Sequence, residues 1–166
     1  SAPSDPSSVA TPSLAGRTAA GRELTIQATG IGGPSAAVVV TELATHGARR
    51  AVRIGGCAAL GTGLATGDLL VAGAAMAADG ASAALSDRAP EPDPALTAAL
   101  ADTAPARPVT VVSSDLFHDP HWAERRARWR DEGAAVADLE TAAVLAAGNR
   151  LGLACAAALV VAETAD

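Results

Sequence analysis

The 166-residue sequence contains no lysine, and all twelve of its basic residues are arginine. Because the net charge at pH 7 is -6, the chain has no basic stripe with which to neutralise the phosphates of a nucleic acid. It also has no apolar run near the roughly 20 residues that a bilayer-spanning helix needs. The composition therefore argues against nucleic-acid and membrane partners.

Aromatic residues make up only 2% of the chain, whereas hydrophobic residues make up 49%. Much of that hydrophobic content is alanine and valine, so we expect a core of small side chains in closely packed elements. The two cysteines, Cys57 and Cys155, lie far apart in a sequence without a secretory signature. This usage predicts reduced thiols and a cytoplasmic location.

The N-terminal residues 1–21 are predicted to be a disordered or irregular segment. Residues 1–13 are small, polar and proline-rich, and they lack the apolar stretch of a signal peptide. From residue 22 to residue 166, strand patterns alternate with helix patterns, which predicts one α/β domain of three layers. The predicted strands are 24–29, 49–54, 69–76, 109–113, 135–138 and 153–162, and the predicted helices are 34–46, 95–104, 121–132 and 140–150.

The segment 24–56 is predicted to contain strand, glycine-rich turn, helix, strand and a second glycine turn. The first turn ends at Pro34, which suits the start of a helix because its missing N–H would be unpaired there. The second turn is Gly55-Gly56, directly after Arg53. Two glycine turns at one sheet edge, with an arginine beside them, predict a pocket for an anionic or hydroxyl-rich ligand.

A dinucleotide site is the alternative interpretation of the first glycine turn, and two features disfavour it. The third glycine of the usual fingerprint is Ser35 here, and the next strand carries arginines where an acidic residue should bind the ribose. A phosphate-binding loop with a Gly-Lys-Ser/Thr ending is excluded because the chain has no lysine.

Six short motifs follow one another in a distinctive order. They are TGIGGPS at 29–35, RIGGCAA at 53–59, TGDL at 66–69, DGAS at 79–82, SDLF at 114–117 and DLETAA at 138–143. In this order they resemble the nucleoside phosphorylase family, which includes uridine phosphorylase, hexameric purine nucleoside phosphorylase and related nucleosidases. The resemblance implies a three-layer αβα fold with a central mixed sheet. It also implies cleavage of the N-glycosidic bond of a nucleoside, with a purine-type base favoured.

The resemblance also implies roles for individual residues. Glu140 would accept hydrogen bonds from the ribose hydroxyls, Arg53 would bind phosphate, and Glu163 would protonate the leaving base. Leu139 would pack under the sugar and Phe117 would stack on the base. The segment Gly55, Gly56 and Cys57 would line the ligand pocket.

The same resemblance implies no cofactor and no metal, with inorganic phosphate as the co-substrate. It further implies a homodimer or a ring of dimers, in which Trp122 and Trp129, seven residues apart on one helix face, are available for a contact between subunits. Packing of these two side chains against their own sheet is the alternative.

Structural roles remain open for three of these residues. Glu140 begins a helix, where a carboxylate favours the helix dipole. Arg53 ends a strand and is suited to an ordinary ion pair. Phe117 is the chain's one phenylalanine, and a lone aromatic residue is often part of a core.

The sequence also departs from the family pattern. Gly56 replaces a hydroxyl residue, Ala58 replaces a glycine, Asp138 replaces a glutamate, and nothing in 1–21 resembles the family's GDPxR phosphate loop.

Three interpretations follow: an enzyme acting by phosphorolysis or hydrolysis, a non-catalytic relative that binds a nucleoside-like ligand or supports a partner subunit, and a scaffold used for other chemistry.

Overall fold

The computed structural model of the chain describes residues 12–103 and 106–165. This part of the chain contains seven strands and five helices. The strands are β1 (Ser13–Arg17), β2 (Glu23–Gln27), β3 (Arg50–Ala59), β4 (Leu69–Ala78), β5 (Arg107–Ser114), β6 (Val136–Asp138) and β7 (Ala154–Glu163). The helices are α1 (Gly33–Thr45), α2 (Gly80–Leu85), α3 (Pro94–Thr103), α4 (Trp122–Asp131) and α5 (Thr141–Leu151).

Five strands form a central mixed sheet in the order β3-β6-β5-β4-β7, and β7 pairs in turn with β3. The β3–β7, β4–β5 and β5–β6 pairs are parallel, whereas β3–β6 and β4–β7 are antiparallel. The predicted α/β fold with a central mixed sheet is therefore confirmed. Closure of the sheet was not anticipated, because it depends on a short pairing of Ala58 and Ala59 with β6.

Small side chains allow the helices to approach the sheet closely. Residues 141–148 of α5 are all buried, and five of these eight are alanine or glycine. A Cβ added at Gly148 would overlap the sulfur of Cys155 and lie 3.0 Å from the carbonyl oxygen of Leu153 on the way into β7. The predicted close packing of elements is confirmed at this contact, because only glycine fits between α5 and β7.

The first two strands form an antiparallel hairpin outside the central sheet, with Leu14 opposite Ile26. The prediction of irregular structure up to residue 21 is therefore wrong for Ser13–Arg17, and residues 1–11 lie outside the described part of the chain. Gly21, at a φ of 75°, closes the turn, and backbone hydrogen bonds link Thr18 with Arg22 and with Gly21. The pairing between the strands organises a segment whose composition alone carries little strand signal.

The second predicted glycine turn has a different structure. Gly55 and Gly56 continue β3, opposite Leu159 and Val160 of β7, and neither has a positive φ. The interpretation of this pair as a turn was wrong, because pairing with β7 holds both glycines extended. The DGAS motif at residues 79–82 begins α2, where the Asp79 carboxylate caps the helix by accepting a 2.8 Å hydrogen bond from the Ser82 amide.

The two tryptophans of α4 contact each other edge to face, with ring centroids 6.1 Å apart. Trp129 is buried against Leu60, Val112 and Ala134 of its own chain. A role for Trp129 at a contact between subunits is therefore wrong, and the intrachain alternative holds. Among the described helices, none combines the length and the hydrophobicity needed to cross a bilayer.

Candidate functional site

The predicted glycine turn connects β2 to α1 and presents a backbone amide to the site. Gly30 and Gly32 have φ values of 73° and 89°, a region that glycine enters without the steric penalty of a Cβ. Pro34 lies in the first turn of α1, as predicted. Gly32 is the N-cap residue of α1, so its amide has no partner within the helix and is available to another acceptor.

Glu140 supplies that acceptor from the far end of the chain. Its Oε1 accepts a 2.8 Å hydrogen bond from the Gly32 amide, across a separation of 108 residues. Glu140 occupies the N-cap position of α5, yet its side chain makes no capping hydrogen bond. The alternative in which this carboxylate caps its own helix is therefore wrong, because the carboxylate is directed at the glycine turn.

Arg53 projects from β3 into the same site. Its Nη2 donates to Glu140 Oε2, and its Nη1 lies 3.2 Å from Asp138 Oδ2. The side chains of Arg53, Asp138 and Glu140 are only 9%, 1% and 12% exposed, so this is a buried ionic cluster. Within the described residues, Nη1 has no hydrogen-bond partner of good geometry, which leaves donor capacity on the guanidinium.

Gly55 makes room for the arginine. Arg53 and Gly55 are two residues apart on β3, so they face the same side of the strand. A Cβ added at Gly55 would overlap the guanidinium nitrogens and would lie 2.6 Å from Cζ. At Gly56 an added Cβ would instead meet Ala162 Cβ at an ordinary 3.6 Å. Gly55 is therefore required for the position of Arg53, whereas Gly56 is not sterically constrained.

Asp138 is fixed more firmly than Glu140. Its Oδ1 accepts a 2.5 Å hydrogen bond from the Ser113 hydroxyl, and both of its oxygens lie 3.2 Å from the Thr141 amide. The Thr141 hydroxyl donates to Oδ2. Burial raises the pKa of Asp138 above its usual value, although Arg53 and the hydrogen bonds from Ser113 and Thr141 act in the opposite direction.

Two further predicted site residues, Leu139 and Cys57, lie beside this cluster. Leu139, which lies between Asp138 and Glu140 in the sequence, is half-buried. The Cys57 thiol is buried and lies 3.6 Å from the Val160 carbonyl oxygen, to which it donates. Burial, with a contribution from Asp138, raises the pKa of Cys57 to about 12, so this side chain has almost no thiolate at neutral pH.

The two residues assigned to the base are both exposed. Glu163 lies at the end of β7 opposite Ala58, and Ala58 pairs on its other side with Ala137, directly before Asp138. Phe117 is 76% exposed, and its ring meets that of His118 edge to face, at 4.9 Å between centroids. The alternative in which Phe117 belongs to the core is therefore wrong.

Sequence patterns missed the support of the cluster by Ser113 and Thr141. The Ser113 hydroxyl donates to Asp138 and accepts a 2.8 Å hydrogen bond from the Ala142 amide, which connects β5 to the first turn of α5. A usable signal was present for Thr141, since Asp side chains commonly accept hydrogen bonds from backbone groups a few residues further along the chain. No group of three or more His, Cys, Asp and Glu side chains in residues 12–103 and 106–165 is arranged to hold a metal ion.

Residues 8–166 match the model of the phosphorylase superfamily, so the chain belongs to that superfamily. The guanosine phosphorylase of Halorubrum lacusprofundi is 35% identical over 141 residues, which cover 80% of this chain and 58% of that protein. The crystal structure of uridine phosphorylase from Vibrio fischeri with 6-hydroxy-1-naphthoic acid is 28% identical, with a TM-score of 0.86 over 90% of this chain and 64% of that one.

The structure of AMP nucleosidase from Bacteroides thetaiotaomicron has a TM-score of 0.79 at 20% identity, which shows a shared fold. It covers 84% of this chain and 64% of that chain, so the sequence spans less than two thirds of the length of these relatives. Phosphorylases of this superfamily use inorganic phosphate as a co-substrate and need no further cofactor.

Proposed function

We propose that this chain forms the nucleoside site of an enzyme that cleaves an N-glycosidic bond, with a purine-type base favoured. The observation that carries the proposal is the buried pair of Arg53 and Glu140, seated on the Gly32 amide in a member of the phosphorylase superfamily. A carboxylate beside a guanidinium provides both hydrogen-bond acceptors and hydrogen-bond donors. The two neighbouring hydroxyls of a ribose need both.

Glu140 is the group that orients the sugar. It is more exposed than Asp138, and its described partners are the Gly32 amide and Arg53. Ribose hydroxyls entering the site would donate to this carboxylate, and Arg53 Nη2, which donates to Glu140, would then serve a sugar or phosphate oxygen. Positioned charges of this kind stabilise the oxocarbenium character that develops on the ribose as the bond to the base breaks.

The base would lie towards the end of β7. There Glu163 would donate a proton or a hydrogen bond to the departing base, and the exposed ring of Phe117 would close over it. Leu139 would pack under the sugar. The wall of the pocket between the sugar and the base would be formed by Gly55, Gly56 and Cys57. In phosphorolysis a phosphate oxygen forms the new bond to C1′, and in hydrolysis a water oxygen does so.

Assembly and location are part of the same proposal. A homodimer or a ring of dimers would bring the loops of one subunit to the pocket of the next. A cytoplasmic location suits the two free, buried thiols, Cys57 and Cys155. Size-exclusion chromatography with light scattering measures the assembly state, and a monomeric mass would contradict the dimer.

The test is release of free base from a panel of purine and pyrimidine nucleosides, with and without phosphate. We expect release from at least one purine nucleoside, and Glu140→Gln should lower kcat/KM by about 100-fold or more, because the ribose hydroxyls lose a charged acceptor. Glu132→Gln is the matched control, since Glu132 forms an exposed pair with Arg128 on α4 and should leave the rate unchanged.

Dependence on phosphate distinguishes the two reactions. Release that needs phosphate identifies a phosphorylase, whereas release without it identifies a nucleosidase. If no nucleoside is cleaved by the folded protein but one binds in calorimetry, the non-catalytic alternative replaces the proposal. If none is cleaved or bound, the fold serves other chemistry.

A further inference from the structure

We infer that Asp138 is a positioning residue, which holds Arg53 in place while Glu140 gives up its bond to Arg53 for bonds to a ligand. The hydrogen bond from the Ser113 hydroxyl braces Asp138 in turn. The juxtaposition behind the inference is one guanidinium between two carboxylates, of which Asp138 accepts more hydrogen bonds and is less exposed. The role of Asp138 in the reaction rests on the proposed function, but the contact between Asp138 and Arg53 does not.

The two carboxylates differ in what holds them. Asp138 is bonded by the Ser113 hydroxyl and by both the amide and the hydroxyl of Thr141, and its side chain is 1% exposed. Glu140 is bonded by the Gly32 amide and Arg53, and its side chain is 12% exposed. Asp138 is therefore too enclosed to reach a ligand, whereas Glu140 can turn to one.

The brace extends through three elements. Ser113 lies near the end of β5, and Asp138 is the last residue of β6. The Ala142 amide, in the first turn of α5, donates a 2.8 Å hydrogen bond to Ser113 Oγ. A carboxylate fixed from three elements keeps its direction when one neighbour moves. Because Asp138 Oδ2 lies 3.2 Å from Arg53 Nη1, the guanidinium retains a counter-charge after Glu140 leaves it.

Arg53 can itself report on this contact. A guanidinium held by its partners rotates slowly, and its Nη protons then give separate signals in a ¹⁵N-resolved spectrum of arginine-labelled protein. Arg53→Gln identifies these signals by their loss. This readout needs no substrate, so it is independent of whether the protein cleaves nucleosides.

Three variants test the division of roles. In Glu140→Gln the Arg53 Nη signals should persist, because Asp138 still holds the group. In Asp138→Asn they should collapse into an averaged signal. In Ser113→Ala the rotation rate should rise about 10-fold, the effect expected for losing a hydrogen bond to a charged acceptor. Ser113→Thr keeps the hydroxyl and should restore the wild-type rate.

The opposite pattern would overturn the inference. Persistence of the signals in Asp138→Asn, or their loss in Glu140→Gln, would show that Glu140 positions the arginine. Averaged signals in the wild type would show that nothing holds it. If Asp138→Asn fails to fold by circular dichroism, the comparison of Ser113→Ala with Ser113→Thr decides, and equal rates in those two would refute the brace.

The inference and the proposed function fail in different ways. The expected pattern of signals in a protein that releases no base would leave the positioning contact established and the proposed reaction wrong. Base release with Arg53 signals unchanged in Asp138→Asn would leave the reaction established and the positioning role wrong.

Discussion

Replacing Gly55 with alanine should release the buried arginine without removing any charge. The added Cβ would overlap the guanidinium of Arg53, so the side chain has to leave its place between Asp138 and Glu140. Arginine is flexible, so the cost is the lost pairing rather than a rigid collision. Breaking a buried ion pair costs roughly 3–5 kcal/mol.

We expect the low end of that range, about 3 kcal/mol, because Asp138 keeps the hydrogen bonds from Ser113 and Thr141. For a chain of this length, about 3 kcal/mol lowers Tm by roughly 6–12 °C. Urea unfolding followed by the fluorescence of buried Trp129 measures the change. Gly56→Ala is the matched control, since its Cβ makes an ordinary contact with Ala162, and its effect should stay within about 1 kcal/mol.

A double-mutant cycle identifies the cause of the effect. In an Arg53→Ala background the Cβ at position 55 has no guanidinium to displace, so Gly55→Ala should cost nothing there. An unchanged cost of about 3 kcal/mol in that background would refute the steric reasoning. Equal destabilisation by Gly55→Ala and Gly56→Ala would refute it as well, because a general intolerance of β3 to a side chain would then explain both.

Three further changes have defined outcomes. Since the native pKa values of Cys57 and Cys155 are raised from 9.0 to about 12 and about 11, both thiols should be alkylated at least ~100-fold more slowly at about pH 8 in the native protein than in denaturant; rapid labelling of either would contradict this. Burial raises the pKa of Asp138, so the native state holds its proton to higher pH than the unfolded chain does, and the unfolding free energy of wild type relative to Asp138→Asn should fall as pH rises above 3.8, the ordinary pKa of an aspartate. Urea unfolding measures the difference, and a flat or rising difference would contradict the shift. Trp129→Ala should destabilise the fold by about 3–5 kcal/mol in the same assay, and a change below about 1 kcal/mol would show that its pocket is not part of the core.

Local rules were sufficient for the glycine turn and the helix after it. Positive φ at Gly30 and Gly32 and a proline in the first turn of α1 are properties of a few adjacent residues, and the prediction of a helix at 34–46 agrees with the observed Gly33–Thr45. The same rules failed at Gly55-Gly56. Glycine weakens a strand in isolation, but parallel pairing with β7 over residues 50–58 outweighs that cost.

The site itself depends on contacts that no local pattern contains. The Gly32 amide and Glu140 are 108 residues apart, and Arg53 and Glu140 are 87 apart. The resemblance to a family selected Arg53 and Glu140 as partners of a ligand, but it did not show that they bind each other. Nor did it indicate that Gly55 is present because a guanidinium lies over it.

The absence of lysine from the chain has a consequence in this cluster. A lysine at position 53 would present a compact charge on a single nitrogen, whereas the planar guanidinium of Arg53 reaches Glu140 through Nη2 and Asp138 through Nη1. One cation thus connects a fixed carboxylate to a movable one. A charged group that is buried without a partner raises the free energy, so ligand binding is most favourable when only Glu140 gives up its bond to Arg53. The geometry therefore favours a ligand that offers hydroxyl donors to Glu140 over one that must separate Arg53 from both carboxylates.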